Sequence, residues 1–465
     1  MASTQIILTV GLSEVPILVA AYRLCLLCLM RDGELPTFSA LCIQDTTDEA
    51  ERVRRLLTAR LQDDSLLQPG CALRWNEIVV PHSNSIAIRN AVTDLLPLQK
   101  PGCRVHLHFT GGSRALSVHA MEAIASGIDG RGGHYSYEVS YLSPGEDVLT
   151  VGYDADLQLG DERTSWSLGI ADLSSLNGFT PNFYSPQSHQ CFELSEPEAE
   201  LVSAGVKMLP LLLPIESRKA YGRWLSRVWE KCWKTDPEHR GWFRWPQPPP
   251  RDSWPKEDLP WIRLSPDVEW KRLTSDLAHI FGGDTVWLEA ELGSVLRVQN
   301  LSEQGLSNLN QFLHYQCLEL LAFDALKGSL IDLGYPKWAV HHSVHFARQS
   351  ARGIAIRDFE LDVVAVLGYQ MLAVSCSLSS DQPALKRKAF EVLHRAKQIG
   401  GSGARTLLIC ALSPRDADLL MRDVEEDTGP CEKNLEIWGI DSLNCLAQRF
   451  RSYLQCTLNV PPRLR

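Results

Sequence analysis

The chain has 465 residues, of which 45% are hydrophobic and 22% charged, with a formal net charge of -10. That composition excludes a mainly disordered chain and supplies apolar material for two large domains or about three of ordinary size. The acidic balance excludes a polycation that coats nucleic acid, so any such binding must come from a local patch.

In chain order, the first 155 residues alternate strand and helix patterns. Strands are expected at Gln5–Val10, Thr37–Ile43, Glu77–Val80, Arg104–Phe109 and Glu138–Leu142. Helices are expected at Val15–Met30, Asp48–Leu61, Ser85–Leu95 and Arg114–Ser126. Short apolar runs between amphipathic ones argue for βαβ units and a doubly wound, Rossmann-like parallel sheet. The apolar stretch from Ile6 to Met30 is broken by Glu14 and Arg23. It reads as a buried strand and helix, with neither a leader peptide nor a membrane span expected. Thirteen cysteines, an odd number without a regular framework, favour reduced thiols and a cytoplasmic setting. The close pair Cys25 and Cys28 has no second pair at zinc-ribbon spacing and reads as helix packing.

Two loops follow strand ends, where open α/β sheets bind ligands. One is Gly11-Leu12-Ser13; the other is Thr110-Gly111-Gly112-Ser113-Arg114, which runs into a helix. Paired glycines let a phosphate approach the backbone, and a helix N-terminus offers unpaired N–H donors. The same residues also suit a tight βα turn with Ser113 as helix N-cap.

Residues 156–262 read as a connector. Its first part is rich in Ser, Asn, Gly and Pro, and residues 235–262 carry a Trp-Pro-rich segment. Between them lies a helical pattern with Arg223, Arg227, Lys231 and Lys234 in one arc, either a nucleic-acid grip or a solvated face.

Residues 263–465 read as a second α/β unit. A helix is expected around Pro266–Ile280, another starting at Trp287-Leu288-Glu289, and a third over Ser307–Leu333. Strands Phe359–Val366 and Met371–Ser377 form a hairpin, followed by helix Ala384–Ile399, strand Thr406–Ala411, helix Pro414–Glu425, strand Leu435–Ile440 and a final helix. Glu360 and Asp362, two apart on a strand, are expected on one face. Carboxylates so clustered suit a hard divalent cation, Mg²⁺ or Mn²⁺, that activates water against a phosphodiester. The developing charge then calls for a lysine, and Lys386 and Lys388 are the near ones in sequence. His341, His342 and His345 include an i, i+4 pair but lack the intervening Glu of the zincin pattern. They read as packing or surface residues. Cys376 reads as a core thiol.

This second unit resembles the PD-(D/E)xK nuclease fold. The chain as a whole is similar to CRISPR-associated effectors that join an N-terminal CARF domain to such a nuclease. The matching stretches are Thr9-Val10-Gly11 with Pro16, Thr110–Arg114, Trp287-Leu288-Glu289, Glu360–Val364, Val374–Ser377 and Arg395–Arg405. The resemblance implies a CARF-like domain over 1–155 and a nuclease-like domain over 263–465. It implies a homodimer that binds a cyclic oligoadenylate through Gly11, Leu12, Ser13 and Thr110–Arg114, and that cuts DNA or RNA with Mg²⁺ or Mn²⁺. By position, Glu289 and Asp362 would hold the metal, with Gln398 supporting them. The chain departs from the pattern at Ser377, where the family usually has a lysine. A lysine displaced to Lys386 or Lys388 would restore the charge. Otherwise the fold binds nucleotide or nucleic acid without cutting, or serves another chemistry such as a tRNA-using enzyme of secondary metabolism.

Overall fold

The computed structural model describes residues 4–11, 14–81, 84–96, 103–130, 136–143, 148–151, 156–157, 168–183, 194, 199–206, 234–235, 243–244, 284–290, 293–299, 312, 316–349, 355–379, 381–428 and 434–456. Two mixed sheets organise it. The first runs β1 (Thr4–Thr9), α1 (Glu14–Asp32), β2 (Thr37–Cys42), α2 (Thr47–Asp63), β3 (Trp75–Val79), α3 (Ser85–Leu95), β4 (Arg104–His108), α4 (Arg114–Gly130), β5 (Ser136–Ser143), β6 (Val148–Val151) and β7 (Asp156–Leu157). Its order is β3-β2-β1-β4-β5-β6-β7. The first five strands are parallel, while β6 and β7 add antiparallel rungs that the expected all-parallel sheet lacked. Chain direction across the sheet reverses between β1 and β4, which places a crevice beyond their carboxyl ends.

The second sheet has the order β17-β16-β15-β14-β13-β8. It comprises β8 (Thr180–Phe183), β13 (Val340–Gln349), β14 (Ala355–Leu367), β15 (Gln370–Ser377), β16 (Arg405–Cys410) and β17 (Leu435–Trp438). Helix α6 (Cys317–Asp332) and α9 (Leu446–Cys456) cover one face; α7 (Gln382–Gly400) and α8 (Pro414–Thr428) cover the other. The β14–β15 hairpin turns through Gly368 at φ +67°, a geometry that glycine adopts without steric penalty.

The expected helix start at Trp287-Leu288-Glu289 is a strand. β11 (Asp284–Ala290) pairs antiparallel with β12 (Gly293–Gln299), with Glu289 opposite Ser294. Thr285, Val286 and Trp287 favour a pleated backbone, and the pairing runs as far as Ala290↔Gly293. The three histidines lie on strand β13. Two short strands, β9 (Lys234–Thr235) and β10 (Phe243–Arg244), form a separate ribbon. Arg223, Arg227, Lys231 and the helix expected at Pro266–Ile280 lie outside the described residues, as do Leu12 and Ser13.

Part of the expected connector is structural. Helix α5 (Ile170–Leu176) and β8 lie within it, and β8 forms the edge of the second sheet. One apolar cluster joins Ile6, Leu8, Ile17 and Val53 of the first unit to Leu173 and Leu176 of α5, and on to Phe346, Val364, Ala373 and Ala396 of the second. Leu173 and Leu176 are fully buried, each worth roughly 1.5–3 kcal/mol of apolar burial. Polar ties flank this cluster. The Arg52 guanidinium bonds the Leu176 carbonyl at 2.7 Å and the Glu14 carboxylate at 2.8 Å. The Asn177 amide donates to the Ile399 carbonyl at 2.7 Å, at the far end of α7.

Asn177→Ala removes that tie and leaves a carbonyl at the end of α7 without its partner. We expect a loss of about 1 kcal/mol. Urea unfolding should show a lower midpoint with an unchanged slope.

Candidate functional site

At the crevice of the first sheet, the two glycine loops touch each other. A Cβ at Gly11 would lie 1.8 Å from the Gly111 carbonyl oxygen, and one at Gly112 would lie 2.4 Å from the Thr9 Cβ. Only glycines allow this approach. The Gly112 N–H donates to the Thr9 hydroxyl at 3.2 Å, and the Leu142 N–H donates to the Thr110 hydroxyl at 2.7 Å. Ser113 caps α4 by accepting from the Leu116 N–H at 3.2 Å, and Arg114 is exposed at the first helical position. Thus Thr110 and Ser113 hold the loop, while Arg114 sits at the surface beside it. Beneath the loop, burial pulls His108 down to about 3, so it is neutral at ordinary pH. At the start of α1, burial raises Glu14 even though Arg52 opposes the shift.

In the second unit, chemistry gathers where β14 and β15 part. Their pairing runs from Leu367↔Gln370 to Val363↔Val374 and stops. Beyond it the Asp362 carboxylate enters the gap. It accepts from the Cys376 N–H at 2.7 Å and from the Ser375 hydroxyl at 3.0 Å. The Lys388 amine of α7 lies 3.2 Å from the same oxygen and donates to the Cys376 carbonyl. Burial pulls that amine down, but Asp362, Cys376 and Glu319 outweigh it, so Lys388 stays charged with a raised pKa.

Glu319 approaches from the opposite face, on α6. Burial first, then the facing Asp362 carboxylate, push it up to about 9, with Lys388 opposing. Sequence reasoning did not single out this residue. Its signal was one acidic side chain inside the apolar run Cys-Leu-Glu-Leu-Leu-Ala-Phe. Glu360 stands beside the gap. It accepts from the Ser343 hydroxyl at 2.6 Å and lies 3.6 Å from His345 Nε2. Arg395 donates to the Glu360 carbonyl at 3.1 Å and lies over the Phe359 ring.

Of the residues proposed from sequence, Asp362, Glu360 and Lys388 therefore converge. Lys386 does not join them; its amine pairs with Asp427 of α8 at 3.0 Å. Gln398 lies ten residues beyond Lys388 on α7, about 15 Å along the axis. Glu289 lies in the separate β11–β12 hairpin, and its side chain is outside the described residues. Ser377 accepts from the Ser379 N–H at 3.3 Å and contributes no charge. Among the described residues, no three His, Cys, Asp or Glu side chains form a metal cage. The Asp362 charge acts on Glu319, and one or two carboxylates with retained waters are what Mg²⁺ takes.

Two predictions follow from this geometry. Gly11→Ala forces backbone apart and should cost about 1–3 kcal/mol. Gly328→Ala, on α6 with nothing within 4 Å, should be neutral or stabilising, and thermal melts of the two variants beside the parent check both. The second concerns pH. The folded protein keeps the Glu319 proton up to about 9, whereas the unfolded chain releases it near 4.5. Stability contributed by this group is therefore lost as pH rises from about 4.5 toward 9. Glu319→Gln should melt higher than the parent at pH 8, with the gap closing toward pH 5; a lower melting point at pH 8 would contradict the assignment.

No family model matches the chain, and no curated protein matches it. Among solved structures, protein VC1899 from Vibrio cholerae is similar with a TM-score of 0.61 and 17% identity, over 99% of each chain. A type III CRISPR defence DNA nuclease activated by cyclic oligoadenylate is similar with a TM-score of 0.42 and 14% identity; the match covers 94% of this chain but 48% of that one. At 17% identity the likeness to the Vibrio protein is one of fold, and the chain shares its α/β fold.

Proposed function

We propose that the protein is a metal-dependent phosphodiesterase acting on DNA or RNA, working as a homodimer and controlled by a phosphorylated ligand such as a cyclic oligoadenylate bound at the first sheet. The carrying observation is the Lys388 amine 3.2 Å from the Asp362 carboxylate, with Glu319 of α6 feeling the charge of both. Mg²⁺ or Mn²⁺ held by Asp362 and Glu319 would polarise the phosphodiester and acidify the attacking water. Cys376 and Ser375 fix the Asp362 carboxylate by two hydrogen bonds. Lys388 places a permanent positive charge beside it, where negative charge grows on the transferring phosphate. That charge comes from helix α7 and replaces the lysine that Ser377 lacks. The glycine crevice supports the ligand reading: two helix N-termini and exposed Arg114 meet there at the reversal point of the sheet. Support for pairing comes from exposed apolar side chains on α3 and α4, Ile86, Val118 and Met121.

The test is cleavage of single- and double-stranded DNA and RNA with Mg²⁺ or Mn²⁺, with and without cyclic oligoadenylates. Lys388→Met should reduce the rate about 10² to 10³-fold, whereas Lys386→Met should leave it within about twofold, the effect of an exposed ion pair being small. Absence of cleavage under every condition, or full activity in Lys388→Met, would overturn the assignment. Ligand binding without any cleavage would identify a binding module.

A further inference from the structure

Strands β13 and β14 change face at a single rung. On β13, Val340 and His342 meet helix α6: Val340 joins the core under that helix, and His342 lies 4.9 Å from the Phe323 ring. Val344 and Phe346, still at even positions, belong to the core on the opposite face. β14 does the same. Phe359 and Leu361 pack with Val364 and Val366, whereas Val363 and Ala365 turn toward α6. A regular strand keeps residues two apart on one face. The break lies between Leu361 and Val363 on one strand and between His342 and Val344 on the other. Pairs His342↔Val363 and Val344↔Leu361 flank it, so Ser343 and Asp362 are the residues of the broken rung.

Ser343 has φ +48°, a left-handed backbone within a strand. Residues with side chains rarely adopt it, and β-branched ones least of all. One such residue reverses the alternation of its own strand. The neighbouring strand follows, and its residue at that rung leaves the ladder. In β14 that residue is Asp362, whose carboxylate takes up the Cys376 N–H at the next rung of the β14–β15 ladder, where Leu361 would otherwise stand opposite. We propose that Ser343 is the positioning residue of the site: its left-handed backbone turns Asp362 out of the β13–β14 ladder and into the gap between β14 and β15. The hydroxyl has a separate task, holding Glu360 at 2.6 Å. The assignment of a role to Asp362 rests on the function proposed above; the conformational claim does not.

The experiment replaces Ser343 by Gly, Asn, Ala and Val in the full chain and reads two quantities. The first is hydrogen exchange of the Cys376 N–H in metal-free protein, followed by NMR with labelled cysteine, with the Leu408 N–H of β16 as a control for global opening. The second is the dissociation constant for Mn²⁺. Tolerance of the left-handed backbone sets the expected order. Gly and Asn should keep exchange and Mn²⁺ affinity within about threefold of the parent. Ala should be intermediate. Val should speed Cys376 exchange and weaken Mn²⁺ at least tenfold, with Leu408 unchanged. If Gly and Asn behave like Val, the hydroxyl and not the backbone matters, and the proposal is overturned. It is equally overturned if Val matches the parent. Should Val fail to fold, the comparison of Gly and Asn with Ala still decides. If the exchange order holds but the parent binds no Mn²⁺, the positioning of Asp362 stands and the metal-dependent function falls.

Discussion

A carboxylate in place of a backbone carbonyl is the constraint on which the second unit turns. At the end of the β14–β15 ladder, the Cys376 N–H needs an acceptor, because a buried donor left unpaired costs roughly 1–3 kcal/mol. Asp362 supplies one, at 2.7 Å. A charged acceptor makes a stronger bond than a carbonyl would, but it brings a negative charge into a sheet covered on both faces. Lys388 answers that charge from one face. Glu319 then adds a second acid from the other, and burial together with the Asp362 charge keeps it protonated well above the usual carboxylate range. The opening of the sheet, the half-buried lysine and the retained proton are one arrangement seen from three sides.

The two sheets do not act as separate bodies. Their shared apolar cluster passes through α5, which is a small helix with polar bonds at its end. Arg52 connects the Leu176 carbonyl to Glu14, at the first turn after the Gly11 loop. One residue further, Asn177 holds the carbonyl of Ile399, on the helix that carries Lys388. β8 follows directly and pairs with β13, setting Asn182 opposite His345. Few hydrogen bonds therefore separate the start of α1 from α7 and β13. Each of these is a discrete hydrogen bond, so the path is open to substitution one residue at a time.

The first sheet was legible because its period-2 and period-3.6 segments alternate with short loops, and right-handed crossovers leave few ways to connect them. Ser85–Leu95 agrees end to end with the expected helix, and β1, β2 and β4 each begin within one residue of expectation. Legibility fell where tertiary context overrides local pattern. Trp287-Leu288-Glu289 reads as a helix start as easily as a strand, since a short apolar run has no clear period. The segment 168–183 is rich in Ser, Gly and Asn and resembles a loop, yet Leu173 and Leu176 are buried in it. Glu319 was hidden for the opposite reason. A single acid in an apolar helix gains meaning only from Asp362 and Lys388, which are distant in sequence. The turn at Ser343 was invisible too, because serine gives no signal for a left-handed backbone.

The paired lysines show how far sequence alone could go. Lys386 and Lys388 are two apart on a helix, so their side chains point about 200° apart around the axis. The apolar stripe of α7, Leu385, Ala389, Val392 and Ala396, marks the buried side, and the two lysines flank that stripe, one on each side. Sequence therefore leaves both lysines open, and the structure separates them: Lys388 reaches Asp362, while Lys386 pairs with Asp427. A lysine on a strand would be fixed by the sheet. A lysine on α7 moves with the helix, and the far end of α7 is held by Asn177. In the proposed function, the charge that stabilises the reaction is thus placed by an element whose other end reports on the first sheet. Ser377 fits this arrangement: with a lysine on the strand, activity would have no structural reason to depend on the position of α7.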